Sequence, residues 1–400
     1  MPKHLVSIND LSKASIEKIF ELADKIDEKL KNKEPIDICK HKIMATMFYE
    51  PSTRTRMSFE SAMYRLGGKV ISSADTKATS SAAKGESLID TIKVIQHYAD
   101  VVILRHFNDG SAKLAAENSL VPIISGGDGS HEHPTQTLCD LYTLRREKGK
   151  IKGLNIALCG DLRYGRTVHS LVYGLAKFGA TIFTVAPDDF ALPEHVERRL
   201  KSEYGTEVKK FKKFDEQLSA KDVQFMKNLK KGRGSNLEDI EENLFQPIPI
   251  EYFDAIYVTR IQMERIEGTK TRHESLMSYL VNKELLEKAK NDTIVLHPLP
   301  RRSELSYDID KDKRAAYFKQ AAYGVPVRMA LIAILLDVTE DKIKMRFDKS
   351  TDIILDEKCS NHNCITQEQE NVQHRFVKVE DPDNNTYRCF YCDSEKIVQN

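Results

Sequence analysis

No apolar run in this 400-residue chain reaches the roughly 18 residues of a membrane-spanning helix, and the opening MPKHLVSINDLSK has no apolar signal core. A cytoplasmic location is therefore the default expectation. A dominant charge of one sign is also missing. Lys and Arg number 61 against 60 Asp and Glu, and the net +1 gives no reason to expect nucleic acid or a membrane surface as a partner. Cysteine is sparse along most of the length. Cys39, Cys139 and Cys159 are scattered and the other four gather near the end, unlike a secreted disulfide framework. A dinucleotide fingerprint is absent too. The turn after the strand-like Asn155–Cys159 reads Gly-Asp-Leu-Arg-Tyr-Gly, with an arginine where G-x-G-x-x-G needs close glycine approach.

What the chain does have is alternation, over a length that implies two or three domains. Short apolar strands are expected at Lys42–Glu50, Lys69–Ser73, Asp100–Arg105 and Pro122–Ser125, the last opening into a turn-rich loop at Gly126-Gly127-Asp128-Gly129. Helical spacing falls between them, first in a capped amphipathic helix after Ile8-Asn9-Asp10, later at Ile89–Tyr98 and Thr135–Arg146. A second unit starts near Lys150 with strands at Asn155–Cys159, Ala180–Ala186, Asp254–Thr259 and Thr293–Leu296, then an apolar helix at Val327–Val338. Such alternation predicts parallel α/β sheets. Between Lys201 and Glu251 the pattern weakens into lysine clusters, which read as a solvated surface elaboration.

Chemistry concentrates at Pro51-Ser52-Thr53-Arg54-Thr55-Arg56. A strand precedes it. Phe59, Ala62, Met63 and Leu66 follow at helical spacing, so Ser52 to Thr55 fall at a helix N-terminus. Unpaired N–H groups and the helix dipole favour an anion there, and Arg54 and Arg56 add forked donors. Capping alone would also explain the Ser and Thr.

Further motifs follow in order: Lys84-Gly85-Glu86, Arg105-His106, His133-Pro134-Thr135-Gln136, Gly160 to Thr167, Thr259-Arg260-Ile261-Gln262 and His297-Pro298-Leu299-Pro300. Together they resemble the aspartate and ornithine carbamoyltransferases along nearly the whole chain. The resemblance implies two parallel-sheet α/β domains: a carbamoyl-phosphate domain over 1–150, with a helix at 326–338 packing back on it, and an amino-acid domain over 151–325. It implies that Ser52, Thr53, Arg54, Thr55 and Arg105 hold the phosphate of carbamoyl phosphate. Thr55, Arg105 and His133 would converge on the carbonyl oxygen, with Gln136 and the carbonyls of Leu299 and Pro300 on the carbamoyl NH₂. The catalytic set would be Arg54, Thr55, Lys84, Arg105 and His133, acting by electrostatic stabilisation and positioning with no catalytic cofactor. Ser80 and Lys84 would come from a neighbouring subunit of a homotrimer, or of a higher assembly of trimers. Ala83 departs from the family's usual second lysine.

Arg166, Thr167, Arg260 and Gln262 match the members that use L-aspartate, where two arginines grip two carboxylates. HPTQ and HPLP, and the lack of an S-M-G segment, separate the chain from the ornithine pattern. Arg328 matches a further position that shapes the site, or else caps the last helix. Pyrimidine biosynthesis would be the context. An ornithine or other amino-acid carbamoyltransferase, and a catalytically silent scaffold, are the alternatives.

Cys359-x4-Cys364 and Cys389-x2-Cys392 are spaced to bring four thiolates to one structural zinc. A tail this short needs the metal to fold, and His374–Val379 and Thr386–Tyr391 alternate as small β structure would. Residues 339–400 thus read as linker and zinc-binding domain, resembling that of the family's separate regulatory chain. The roughly 20 residues of Thr339–Lys358 are too few for a nucleotide-binding domain, so regulation by nucleotides is not expected from this chain itself.

Overall fold

The computed structural model describes all residues except 1–2, 75–84, 216–247, 261–279, 347–352, 355–357, 370, 381–383 and 399–400. Two compact units emerge, one from residues 1–142 and 322–400, the other from 143–321.

The first unit opens with α1 (Lys13–Lys31), whose cap is Ser12, not the Asn-Asp pair before it. Asp10 instead closes a reciprocal capping box with Ser7 around a short 3₁₀ turn. Ile16, Ile19, Phe20, Ala23 and Ile26 bury one face of α1, and lysines close its last turn. Then follow β1 (Ile43–Phe48), α2 (Thr53–Arg65), β2 (Lys69–Ala74), α3 (Leu88–Ile95), β3 (Val101–His106), α4 (Ser111–Glu117), β4 (Ile123–Asp128) and α5 (Pro134–Lys148). The sheet is parallel in the order β2-β1-β3-β4. Central β1 and β3 are buried along nearly their whole length, whereas edge strand β2 is largely exposed and polar. Two details depart from the sequence reading. Strand β4 runs on through Gly126 and Gly127 instead of ending at Ser125, with a register shift opposite Leu104 and His106. Helix α4 was not anticipated: its seven residues are too few to display a period, and it is small and buried.

The second unit continues with β5 (Asn155–Cys159), α6 (Arg166–Phe178), β6 (Thr181–Val185), α7 (Glu194–Tyr204), β7 (Lys209–Phe211), β8 (Phe214–Asp215), β9 (Ile248–Pro249), β10 (Ala255–Val258), α8 (Lys283–Glu287) and β11 (Ile294–Leu296). Its main sheet is parallel in the order β11-β10-β5-β6-β7. Aromatic edges fill the core, with Phe253 5.2 Å from Phe183 and 5.9 Å from Phe214 between ring centroids. Most of the lysine-rich stretch lies outside the described residues.

Helix α9 (Tyr317–Leu335) starts about ten residues before the expected Val327–Val338 and accommodates Pro326 inside it. Lys319, Gln320 and Arg328 interrupt its apolar run, and although its length and composition alone would pass for a membrane span, most of it is buried, as in a core helix. In the tail, β12 (Ile353–Ile354) joins β13 (Arg375–Lys378), β14 (Thr386–Cys389) and β15 (Glu395–Ile397) in an antiparallel sheet, with α10 (Ile365–Glu368) beside it. The connector therefore contributes a strand of its own. The tail shares a hydrophobic core with the first sheet, where Phe390, Tyr391 and Ile365 cluster with Val102, Leu104 and Leu114.

Candidate functional site

In the first unit, the expected phosphate and carbonyl ligands stand at the C-terminal ends of three adjacent strands. Ser52 is the N-cap of α2, yet its side chain makes no capping bond to the helix, as a ligand-facing hydroxyl would not. Thr53 and Arg54 are exposed at the helix start while Thr55 is buried. Phe48 at the end of β1 pairs with Arg105 on β3, and the Tyr49 amide donates to the Arg105 carbonyl at 2.9 Å, which brings that arginine beside the α2 entrance. Arg105 is buried and oriented by the Gly126 carbonyl at 3.1 Å and Glu50 at 3.4 Å. His133 is buried one residue before α5, with Nδ1 3.4 Å from the Thr135 hydroxyl. Gln136 donates to Asp140 at 2.8 Å. Arg328, buried on α9, donates to Ser58 at 3.0 Å and lies 5.0 Å from the Phe59 ring, against the flank of α2.

In the second unit the pattern repeats at the ends of β5, β10 and β11. Gly160 has φ +105°, and a Cβ there would lie 2.2 Å from the Thr259 carbonyl, so the β5 and β10 ends meet only because it is glycine. Thr259 donates its hydroxyl to the Cys159 and Asp161 carbonyls at 3.1 Å each, and Asp161 accepts the Tyr164 amide at 2.9 Å. This bracing sets Arg166 and Thr167 at the start of α6 and Arg260 just after Thr259, all three half-exposed. Leu299 and Pro300 follow β11, joined by a cis peptide with Leu299 at φ 54°. Buried His297 holds that loop, accepting the Leu299 amide at 2.8 Å on Nδ1 and bonding Glu304 at 2.9 Å through Nε2. Burial would raise the Glu304 carboxyl, but the bonds from His297 and the Arg302 amide outweigh it and hold the group below the usual range.

The structure thus gathers Ser52, Thr53, Arg54, Thr55, Arg105, His133 and Gln136 in one unit, and Arg166, Thr167, Arg260, Leu299 and Pro300 in the other. Ser80, Lys84 and Gln262 lie outside the described residues. Sequence reasoning missed Glu50 and Glu304, which orient Arg105 and His297. Neither belongs to a motif, and only the three-dimensional pairing exposes them.

In the tail, all four cysteines are buried and their sulfurs lie within 4.8 Å of one another. Cys359 and Cys392 sulfurs are 3.5 Å apart and those of Cys364 and Cys389 3.8 Å. A tetrahedral zinc with bonds of about 2.3 Å needs sulfurs about 3.8 Å apart, so the donor set and its spacing both fit the metal.

Residues 3–146 match the family description "Aspartate/ornithine carbamoyltransferase, carbamoyl-P binding domain" and residues 152–335 its "Asp/Orn binding domain". The aspartate carbamoyltransferase catalytic subunit of Methanocaldococcus jannaschii is 46% identical over 339 residues, covering 84% of this chain and 99% of that one. The chain belongs to the aspartate carbamoyltransferase family. A relative from Thermococcus kodakarensis with the same description is 43% identical, over 84% of this chain and 97% of its own. The solved M. jannaschii catalytic subunit of aspartate transcarbamoylase superposes with a TM-score of 0.70 at 44% identity, covering 85% of this chain and all of that one. The Trypanosoma cruzi enzyme, in complex with N-(phosphonacetyl)-L-aspartic acid, gives 0.71 at 33% identity, over 83% of this chain and 95% of its own. To this carbamoyltransferase body a separate match adds residues 352–398, the "Aspartate carbamoyltransferase regulatory chain, metal binding domain".

Proposed function

We propose that this chain transfers the carbamoyl group of carbamoyl phosphate to L-aspartate, giving N-carbamoyl-L-aspartate and phosphate, as a committed step of pyrimidine synthesis. One observation supports the reading: Ser52 to Thr55, Arg105 and His133 stand over one parallel sheet, and Arg166 and Arg260 over the other. The assignment of 1–150 with the 326–338 helix segment to carbamoyl phosphate, 151–325 to aspartate and 339–400 to linker and zinc domain follows the same division. Phosphate binds the α2 N-terminus with Arg54 and Arg105. As the aspartate amine attacks, negative charge builds on the carbonyl oxygen and is met by Thr55, Arg105 and His133. Arg166 and Arg260 take the two carboxylates, and an amine without a side-chain carboxylate leaves one arginine unsatisfied. Purified protein given carbamoyl phosphate with aspartate and with ornithine in parallel tests this. Carbamoyl aspartate is expected, and citrulline as the main product would overturn it.

The chain acts in the cytoplasm as a homotrimer or an assembly of trimers, in which Ser80 and Lys84 of one subunit complete the neighbour's site. Mixing inactive Lys84→Ala and Arg54→Ala subunits tests the sharing. A hybrid site can combine two intact contributions, so activity returns; no recovery after verified exchange excludes shared sites.

A further inference from the structure

The zinc tail touches the body at the segment that leads into His133. Asp109, four residues beyond Arg105, is the hub. Its amide donates to the Asn363 carbonyl at 3.0 Å and its carbonyl accepts the Ile365 amide at 2.9 Å. Its carboxylate accepts from Asn361 at 2.8 Å, from Asn363 at 3.1 Å and from the Ser130 amide at 2.7 Å. Asn363 also donates to the Phe107 carbonyl at 3.0 Å. Just after Ser130, His131 lies between Asp128 at 3.3 Å and the tail's Asp393 at 3.1 Å. Close packing gives a second, independent sign. Gly129 has φ +44°, and a Cβ there would fall 1.7 Å from the Asp109 carboxylate and 2.8 Å from the Asn363 amide nitrogen. Gly110, φ +83°, would place a Cβ 2.6 Å from the Tyr391 backbone.

We propose that the zinc tail is a brace for the carbamoyl half-site, with Asn363 and Asp393 as positioning residues that fix segment 128–132 and through it His133. This rests on the reading of His133 given above. The gripping residues are set by the metal knuckles themselves: Asn361 and Asn363 lie between Cys359 and Cys364, and Asp393 follows Cys392. From the opposite side Glu132 accepts the Ser7 hydroxyl at 2.6 Å and the Ile8 amide at 3.1 Å. The segment is thus clamped between the N-terminus and the tail immediately before the ligand-bearing residue. Without the tail's side of the clamp, 128–132 keeps its bonds within the body, such as the Gly129 amide to the His106 carbonyl at 3.0 Å and the Gly110 amide to Asp128 at 2.9 Å, but Asp109 and His131 lose their tail partners and His133 is held less firmly. A misplacement of about 1 Å is enough to cost a large factor in rate.

A second tail contact, made to α4 and not to this segment, serves as the control. Arg375 bonds Glu117 at 2.7 and 3.0 Å and stacks 4.1 Å from the Phe390 ring. The test compares full-length wild type with Asn363→Ala, Asp393→Ala and Glu117→Gln. It reads zinc content, both KM values and hydrogen exchange at the amides of residues 129–132. In the two brace variants, zinc retained, carbamoyl-phosphate KM should rise about 3- to 10-fold and those amides exchange faster, while aspartate KM stays within about twofold. Glu117→Gln should leave carbamoyl-phosphate KM as in wild type. Unchanged carbamoyl-phosphate KM in zinc-loaded brace variants, or an equal rise in Glu117→Gln, overturns the proposal. Should the variants lose zinc, exchange in wild type before and after chelation decides: faster exchange at Ser130 and Glu132 supports the brace, and unchanged exchange overturns it. A wild type that makes no carbamoyl aspartate would instead defeat the functional reading, while the exchange measurement still judges the brace.

Discussion

The ligand sets on the two sheets are built on the same plan and finished differently. On the first sheet Thr55, Arg105 and His133 are buried, and Arg105 is fixed by Glu50 and the Gly126 carbonyl. On the second sheet Arg166 and Arg260 are half-exposed at loop ends, although the loops beneath them are braced by Thr259, Asp161 and His297. On the proposed reading, the buried first set would meet charge as it develops, and the second would recognise two carboxylates with forked arginines from a more open position. Chemistry and selection would then be divided between the sheets.

Breaking the chemical half should have the largest effect. Arg54→Ala removes charge next to the leaving phosphate, and kcat should fall on the order of 10²-fold or more in steady-state assays. Near-normal turnover would remove Arg54 from the site. Breaking the tail comes next. Cys389→Ala leaves three thiolates for a site that needs four, so metal analysis should show zinc falling well below one per chain and the tail should become protease-sensitive. Retained zinc and an intact tail would reject the four-cysteine site. The smallest effect sharpens how the first unit is anchored. Burial pushes the Asp10 carboxyl up to about 7, against about 4 in an unfolded chain. The folded protein therefore keeps a proton that the unfolded chain gives up in that window. Stability should fall as pH rises from about 4 to about 7 and then level off. Thermal unfolding at pH 5 and 7.5 should show a smaller difference in Asp10→Asn than in wild type; an equal difference would acquit Asp10.

The strands and ligands were legible in the sequence where one short run carried both an apolar pattern and a motif. Asn155–Cys159 matches its strand residue for residue, and Arg105 lies beside the end of β3, within one residue of the expected strand Asp100–Arg105. The misses have local causes. Gly126-Gly127 reads as a turn in one dimension, but neighbouring strands carry it on as β structure. Helix α9 begins at Tyr317 and not at the expected Val327, and the packing of a buried apolar helix accommodates Pro326 in its interior. Glu50, Glu304 and the Asp109 hub were invisible because they act through partners that no local pattern links to them. The tail's four cysteines announced the metal, but not the surface that the knuckles grip.

The division between the sheets is tested most directly by calorimetric titration of carbamoyl phosphate alone into wild type and Arg260→Ala, alongside their aspartate KM. The account predicts carbamoyl-phosphate affinity unchanged within about twofold while aspartate KM rises at least tenfold. Equal weakening of both substrates would contradict it.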